Sequence, residues 1–180
     1  MRRSASCAAV LVLFTCLARA QSVSLPPTIS PEGAAPLPLA GQAKRVHLLG
    51  TTDLYALAVY AESGSLDRSR LVSPQIAKAL RIEITYENDL RRGVPIDWRR
   101  ELIPPLEDSA DAHLRGTFAP LQHGDVVLIE YTPTKGTFVR VNRSVAVSEA
   151  SHDLMLAFLD HWLGQRPVSE EIKQTLIGGS

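Results

Sequence analysis

Hydrophobic and polar positions change their spacing several times along this chain, and each spacing predicts an element. Leu54 to Glu62 (LYALAVYAE) is a nearly unbroken apolar run that ends in polar residues and Gly64. Such a run predicts a buried strand. Further on, Leu80, Ile82, Ile84 and Tyr86 alternate with Arg81, Glu83 and Thr85. That period of two predicts a half-buried strand over 79–86 with one wet face. Val126 to Tyr131 and Thr137 to Asn142 flank Thr132-Pro133-Thr134-Lys135-Gly136. A five-residue connection with Pro early and Gly late predicts a β-hairpin.

Other segments carry the helical period. Ile96 to Ile103 places Ile96, Leu102 and Ile103 with Trp98 and stops at Pro104-Pro105. Leu106 to Phe118 predicts a second, more polar helix. Ser151 is the expected N-cap of a helix running to Leu163, where Leu154, Phe158 and Trp162 stand at i, i+4 and i+8, with Met155 and Leu159 beside them. Gly164 ends it. Ser169 is the expected cap of a last helix, with Glu170 and Glu171 in the first turn, where the dipole favours them. Gly178-Gly179 closes it. Strands outnumber βαβ spacings and the clearest pair is a hairpin. The expected fold class is therefore α+β: a mainly antiparallel β-sheet packed against a layer of helices, an open-faced sandwich.

The N-terminus has a different grammar. Arg2 and Arg3 precede a short apolar stretch, Ala8 to Leu17, and Ala18-Arg19-Ala20 is a small-x-small site. Residues 1–20 are read as a signal peptide, too short to span a bilayer, with the mature chain starting at Gln21. Leu13-Phe14-Thr15-Cys16 faintly resembles a lipoprotein signal, but Phe14 and Thr15 stand where small residues are preferred. The expected location is periplasmic or secreted. Residues 21–38 hold five prolines within QSVSLPPTISPEGAAPLPL, and are read as a Pro-rich linker or extended lead-in. One domain, 39–180, follows.

Both cysteines, Cys7 and Cys16, lie inside the predicted signal, so the mature chain has none for a disulfide or a thiolate. Removing Arg2, Arg3 and Arg19 lowers Lys plus Arg from 19 to 16 against 19 acidic residues, a net charge of −3. That argues against a nucleic-acid or anionic-membrane binder, which needs a clustered basic excess. The five histidines, at 47, 113, 123, 152 and 161, show no H-x-x-x-H or H-E-x-x-H spacing, so no metal or cofactor is expected. Ser151-His152-Asp153 has the letters of a triad, but neighbours on a helix do not face one another. His161 is expected as a helix-end partner of the dipole, and both tryptophans as core. Arg91-Arg92 and Arg99-Arg100, interleaved with Glu87, Asp89, Asp97 and Glu101, read as a solvated, self-neutralised face. Asn142-Arg143-Ser144 has the form of a glycosylation sequon.

The order from Gly124 to Gly179 is hairpin, helix, tight break and short terminal helix. It resembles the C-terminal half of the chalcone isomerase-like family, in its secreted bacterial branch. Gly41-Gln42-Ala43-Lys44-Arg45 resembles the G-x-G-x-R segment that opens members of that family, with Ala43 in place of the second glycine. The resemblance implies that Arg45 faces an apolar cleft between sheet and helices, and that Tyr55 is its tyrosine partner on the next strand. In fatty-acid-binding members such a pair holds a carboxylate. A guanidinium is the best side-chain match to a carboxylate, and a tyrosine adds a donor without another charge. Asp53 is the expected internal partner should Arg45 be neutralised within the protein.

In the plant enzymes of the family a threonine stands where this chain has Tyr55. A tyrosine and an asparagine from the middle of the fold and a hydroxyl residue on the late helix complete their set. Between Ile103 and Gly124 this chain has neither tyrosine nor asparagine, and Leu154 and Met155 stand on the late helix. No catalytic residue is therefore assigned. The resemblance implies a monomeric, non-catalytic binder of a small amphipathic anion such as a fatty acid, with Arg45 and Tyr55 as ligand-binding residues. The alternatives are an isomerase or lyase that uses Arg45 to stabilise an enolate-like oxygen, and an envelope protein-interaction module with no small ligand.

Overall fold

The computed structural model describes residues 25–47, 52–87, 93–106 and 108–178. The predicted signal peptide, with both cysteines, lies outside the described residues, as do Asp89, Arg91 and Arg92. Seven strands form one sheet in which each strand pairs antiparallel with the next in sequence. They are β1 (Thr28–Ile29), β2 (Leu37–His47), β3 (Thr52–Ala61), β4 (Lys78–Ile84), β5 (Val126–Thr132), β6 (Gly136–Val141) and β7 (Ser144–Glu149). Helix α1 (Arg68–Leu71) joins β3 to β4, α2 (Ile96–Leu102) and α3 (Asp108–Phe118) join β4 to β5, and α4 (Asp153–Leu163) and α5 (Glu170–Gly178) follow the sheet. The α+β class and the antiparallel sheet agree with the sequence. Among the described residues no helix is long and apolar enough to cross a membrane.

The main core lies between the sheet and the helices. Leu57, Val59, Leu80, Ile82, Val127, Ile129 and Val139 from the strands meet Leu102, Leu114, Phe118, Leu154, Phe158, Trp162, Ile172 and Leu176 from the helices. The i, i+4, i+8 stripe of α4 is buried, and Phe158 stacks on Trp162 at 5.9 Å between ring centroids. A second cluster covers the opposite face of the sheet. There Leu37, Ala58, Tyr60, Ala77 and Ala79 are packed by Leu25, Ile29 and Leu39. The Tyr60 hydroxyl donates to the Pro26 carbonyl at 2.9 Å. Two covers explain why β3 is apolar at nearly every position: both of its faces are dry. The fold therefore begins earlier than Leu39, because β1 and the start of β2 come from the Pro-rich segment.

Local chemistry sets several ends. Ser169 Oγ accepts from the Ile172 amide at 3.3 Å, as expected of a cap. At α4 the expected cap is displaced by one residue: His152 is the N-cap, without a side-chain cap bond, while Ser151 Oγ accepts from the Asp153 amide at 3.2 Å. Gly136, at φ +79°, starts β6, and a side chain there would meet the Glu149 carbonyl at 2.2 Å. Gly41 is needed for another reason: a Cβ on it would lie 2.5 Å from Leu66 and 2.8 Å from the Leu176 carbonyl. That close approach seats the end of α5 on β2. Ile96, expected on the core face of α2, is 55% exposed. Leu102 is the buried residue of that helix.

Candidate functional site

Arg45 and Tyr55 are direct Cα partners across β2 and β3. Directly opposed residues of an antiparallel pair present their side chains on one face. Here that face carries Leu57, Ile82 and Ile84 and lies against the helices. The structure thus brings together the two residues singled out in the sequence.

Arg45 is not paired with Asp53. Its Nε donates to Glu101 Oε2 at 2.9 Å and its Nη2 to Glu101 Oε1 at 3.2 Å, a two-pronged contact with the end of α2. Glu171 Oε2 at the start of α5 lies 3.9 Å from Nη1. Asp53 accepts from Lys44 Nζ at 3.1 Å instead. The reason is a slip in register between Arg45 and Val46, which makes Asp53 the partner of Val46. Val46 alternates with Arg45, so the slip turns Asp53 to the face of Lys44. Glu101, read in the sequence as part of a solvated charged face, is only 26% exposed at its side chain. Its hydrogen bond keeps the Arg45 guanidinium protonated and raises its pKa.

Tyr55 is 2% exposed. Burial raises its phenol pKa, and the nearby Glu101 charge adds to that rise, so the group stays neutral. Its hydroxyl lies near the Trp162 indole, yet neither the hydroxyl nor Trp162 Nε1 makes a well-formed hydrogen bond within the protein. Among the described residues neither buried atom has a partner of good hydrogen-bond geometry, which is uncommon.

His161 departs from its expected role. Its Nε2 donates to the main-chain carbonyl of Glu101 at 2.8 Å, and burial lowers its pKa, so it is a neutral link between α4 and α2. The end of α4 is served by two cations instead. Arg68 Nη1 donates to the Leu163 carbonyl at 3.1 Å and Lys173 Nζ to the Gly164 carbonyl at 2.8 Å.

A second polar cluster surrounds Lys78, which is fully buried. Its ammonium donates to the Leu71 carbonyl at 2.7 Å, the Ser73 carbonyl at 2.6 Å and His152 Nε2 at 2.8 Å. The Tyr131 ring centroid lies 4.9 Å away. Burial lowers Lys78 to about 8, and burial with the Lys78 charge lowers His152 to about 4. All three ammonium hydrogens are in use, so the cluster is a structural clamp. Ser151-His152-Asp153 is no triad, because His152 serves Lys78 and Ser151 Oγ only accepts from the Asp153 amide.

An open groove of about 260 Å³, lined by Ala110, His113, Leu114, Val147, Glu149 and Leu154, lies between α3 and β7 and includes neither Arg45 nor Tyr55. Among the described residues no group of three or more His, Cys, Asp or Glu is placed to hold a metal ion. Leu154 and Met155 of α4 are buried in the core.

The sequence reading missed Glu101 and the polar end of Trp162 as parts of this site. One signal was present. Glu101 stands three residues after Trp98 and beside Leu102, the buried residue of α2.

A search of curated proteins finds no match. Among solved structures the chain is similar to a fatty-acid binding protein of Arabidopsis thaliana, at 18% identity and a TM-score of 0.55, over 86% of this chain and 91% of that one. At that identity the likeness shows the fold. The description "Chalcone isomerase-like" matches residues 18–178, nearly the whole chain, and the protein belongs to the chalcone isomerase-like family.

Proposed function

We propose that this protein is an exported, monomeric, non-catalytic binder of a small amphipathic anion, with a fatty acid as the leading ligand. The observation that carries the reading is the pairing of Arg45 with Tyr55 on the helix-covered face of the sheet. A planar cationic fork stands beside a neutral phenol, and the phenol belongs to the apolar core between sheet and helices. That is the arrangement an amphiphile needs, with one polar end and a dry remainder. The fold shared with a fatty-acid binding protein supports the same choice. The signal-like grammar of residues 1–20 supports export to the periplasm or beyond.

Calorimetric titration of laurate into the wild type, Arg45→Ala and Tyr55→Phe tests this reading. Loss of Arg45 removes charge-assisted hydrogen bonds of about 1.5–3 kcal/mol, or roughly ten- to hundredfold in affinity. Tyr55→Phe is expected to cost about 1 kcal/mol. Equal binding by all three removes these residues from any site.

A second reading draws on the Arg45–Glu101 contact. With Glu101 in the fork and Tyr55 buried, the fork is not free to take a ligand as it stands. A protein-interaction module of the cell envelope has no need of an open cleft. Absence of laurate binding by the wild type and by a variant with the fork freed favours it.

A further inference from the structure

We propose that Glu101 sets the head-group specificity of this site: it fills the Arg45 fork as an internal carboxylate, which an incoming carboxylate must displace. The inference rests on the ligand-binding reading of Arg45 and Tyr55.

Four observations carry it. First, Glu101 uses Nε and Nη2, one whole edge of the guanidinium, through both of its oxygens. A ligand carboxylate has the same two-pronged shape and competes for the same kind of edge. Second, the local charge is already filled. Arg45 supplies one positive charge against Glu101 and Glu171, so a third carboxylate added without a departure would enter a net negative surrounding. Third, Glu101 can leave while α2 stays in place. His161 Nε2 holds its main-chain carbonyl at 2.8 Å, and its side chain is already a quarter exposed. Rotation of the side chain into water therefore suffices. Fourth, the Tyr55 hydroxyl and Trp162 Nε1 are buried donors that Glu101 does not satisfy. A ligand oxygen that replaces Glu101 and reaches further in gains both. Trp162 is thereby a third head-group donor beside Arg45 and Tyr55.

The consequence is selective. An acid must compete with Glu101, whereas a neutral head group of the same chain length has no use for the fork. Neutralising Glu101 thus favours carboxylates alone.

The test is calorimetric titration of laurate and of dodecanol, both kept below their aggregation limits, into the wild type, Glu101→Gln, Trp162→Phe and Arg45→Ala. The expected result is laurate binding at least about tenfold tighter in Glu101→Gln than in wild type, with dodecanol unchanged. Trp162→Phe is expected to weaken laurate by several-fold. If Glu101→Gln fails to fold, Glu101→Met, of similar length and uncharged, gives the same comparison. Unchanged or weaker laurate binding by the Glu101 variant, with wild-type binding that depends on Arg45, overturns the displacement and leaves the carboxylate site standing. Equal tightening for laurate and dodecanol overturns it too, because the variant has then only loosened the cleft. No laurate binding by the wild type or by either Glu101 variant overturns both the displacement and the ligand reading beneath it.

Discussion

The ammonium of Lys78 donates to Nε2 of His152 at 2.8 Å, tying the first residue of β4 to the residue before α4. The bond needs His152 neutral, with Nε2 free of its proton. Burial and the Lys78 charge accordingly lower its pKa from 6.5 to about 4. A histidine depressed in the folded state binds fewer protons there than when unfolded. Its contribution to stability is full above about pH 6.5 and is lost as the pH falls toward 4. His161 is depressed as well, so the two act in the same direction. The melting temperature of the wild type is expected to fall across that window. His152→Gln retains an acceptor for Lys78 and is expected to fall less. A pH profile of melting temperature identical in both proteins would separate His152 from the acid response.

Lys78 itself is held by two main-chain carbonyls, those of Leu71 and Ser73, at the end of α1 and just beyond it. Lys78→Met removes a buried cation and also strands these acceptors. Unsatisfied buried acceptors cost about 1–3 kcal/mol each, and the loss outweighs the relief because the ammonium was fully bonded. A fall of several degrees in melting temperature is the expected outcome. Chemical denaturation at neutral pH gives the free energy directly. A variant as stable as the wild type would show that the ammonium is bonded without being needed.

The parts of the fold legible in the sequence are those with one unambiguous period. The alternation of β4 and the buried stripe of α4 announced their elements, and Ser169 announced the start of α5. The strand β2 was harder to see. It holds Pro38, Gly41 and Lys44-Arg45, and only its pairing with β3 along nearly its whole length makes it a strand. Strand β7 is half-exposed along most of its length and follows a turn with Asn142 at φ 55°, so it carries little hydrophobic signal. Of the candidate site, the facing of Arg45 and Tyr55 was legible, because the motif-like segment and the next strand implied it. Glu101 was not, because a contact across 56 residues depends on where α2 docks. Asp53 was misassigned because a one-residue slip of register leaves no mark in the sequence.

The chemistry of Tyr55 bears on catalysis. Its phenol is buried and its pKa is raised, so it does not serve as a base at neutral pH. Arg45 is engaged by Glu101 and is not free to steady an enolate-like oxygen without first exchanging partners. An absorbance assay with a chalcone is therefore expected to run at the uncatalysed rate, with and without Glu101→Gln. Acceleration that disappears in Arg45→Ala would replace the carrier by an isomerase.

Truncation decides what the Pro-rich segment does. Leu37 is fully buried, and Leu25 and Ile29 pack on the same cluster as Ala58, Tyr60 and Ala79. Deleting everything before Leu39 removes these side chains, the β1 pairing and the acceptor of the Tyr60 hydroxyl at Pro26. One buried leucine contributes about 1.5–3 kcal/mol, and the Tyr60 hydroxyl, bared to water, loses a bond of about 1 kcal/mol. The sum is a large share of the roughly 5–15 kcal/mol that holds a domain together. A protein starting at Leu39 is thus expected to melt far below one starting at Gln21, or to aggregate through the bared face of the sheet. The proposed export predicts a mature N-terminus at Gln21, read by N-terminal sequencing, which leaves the whole cover in place. Thermal denaturation of the two lengths side by side checks the argument. Equal melting temperatures would return the segment to the status of a linker.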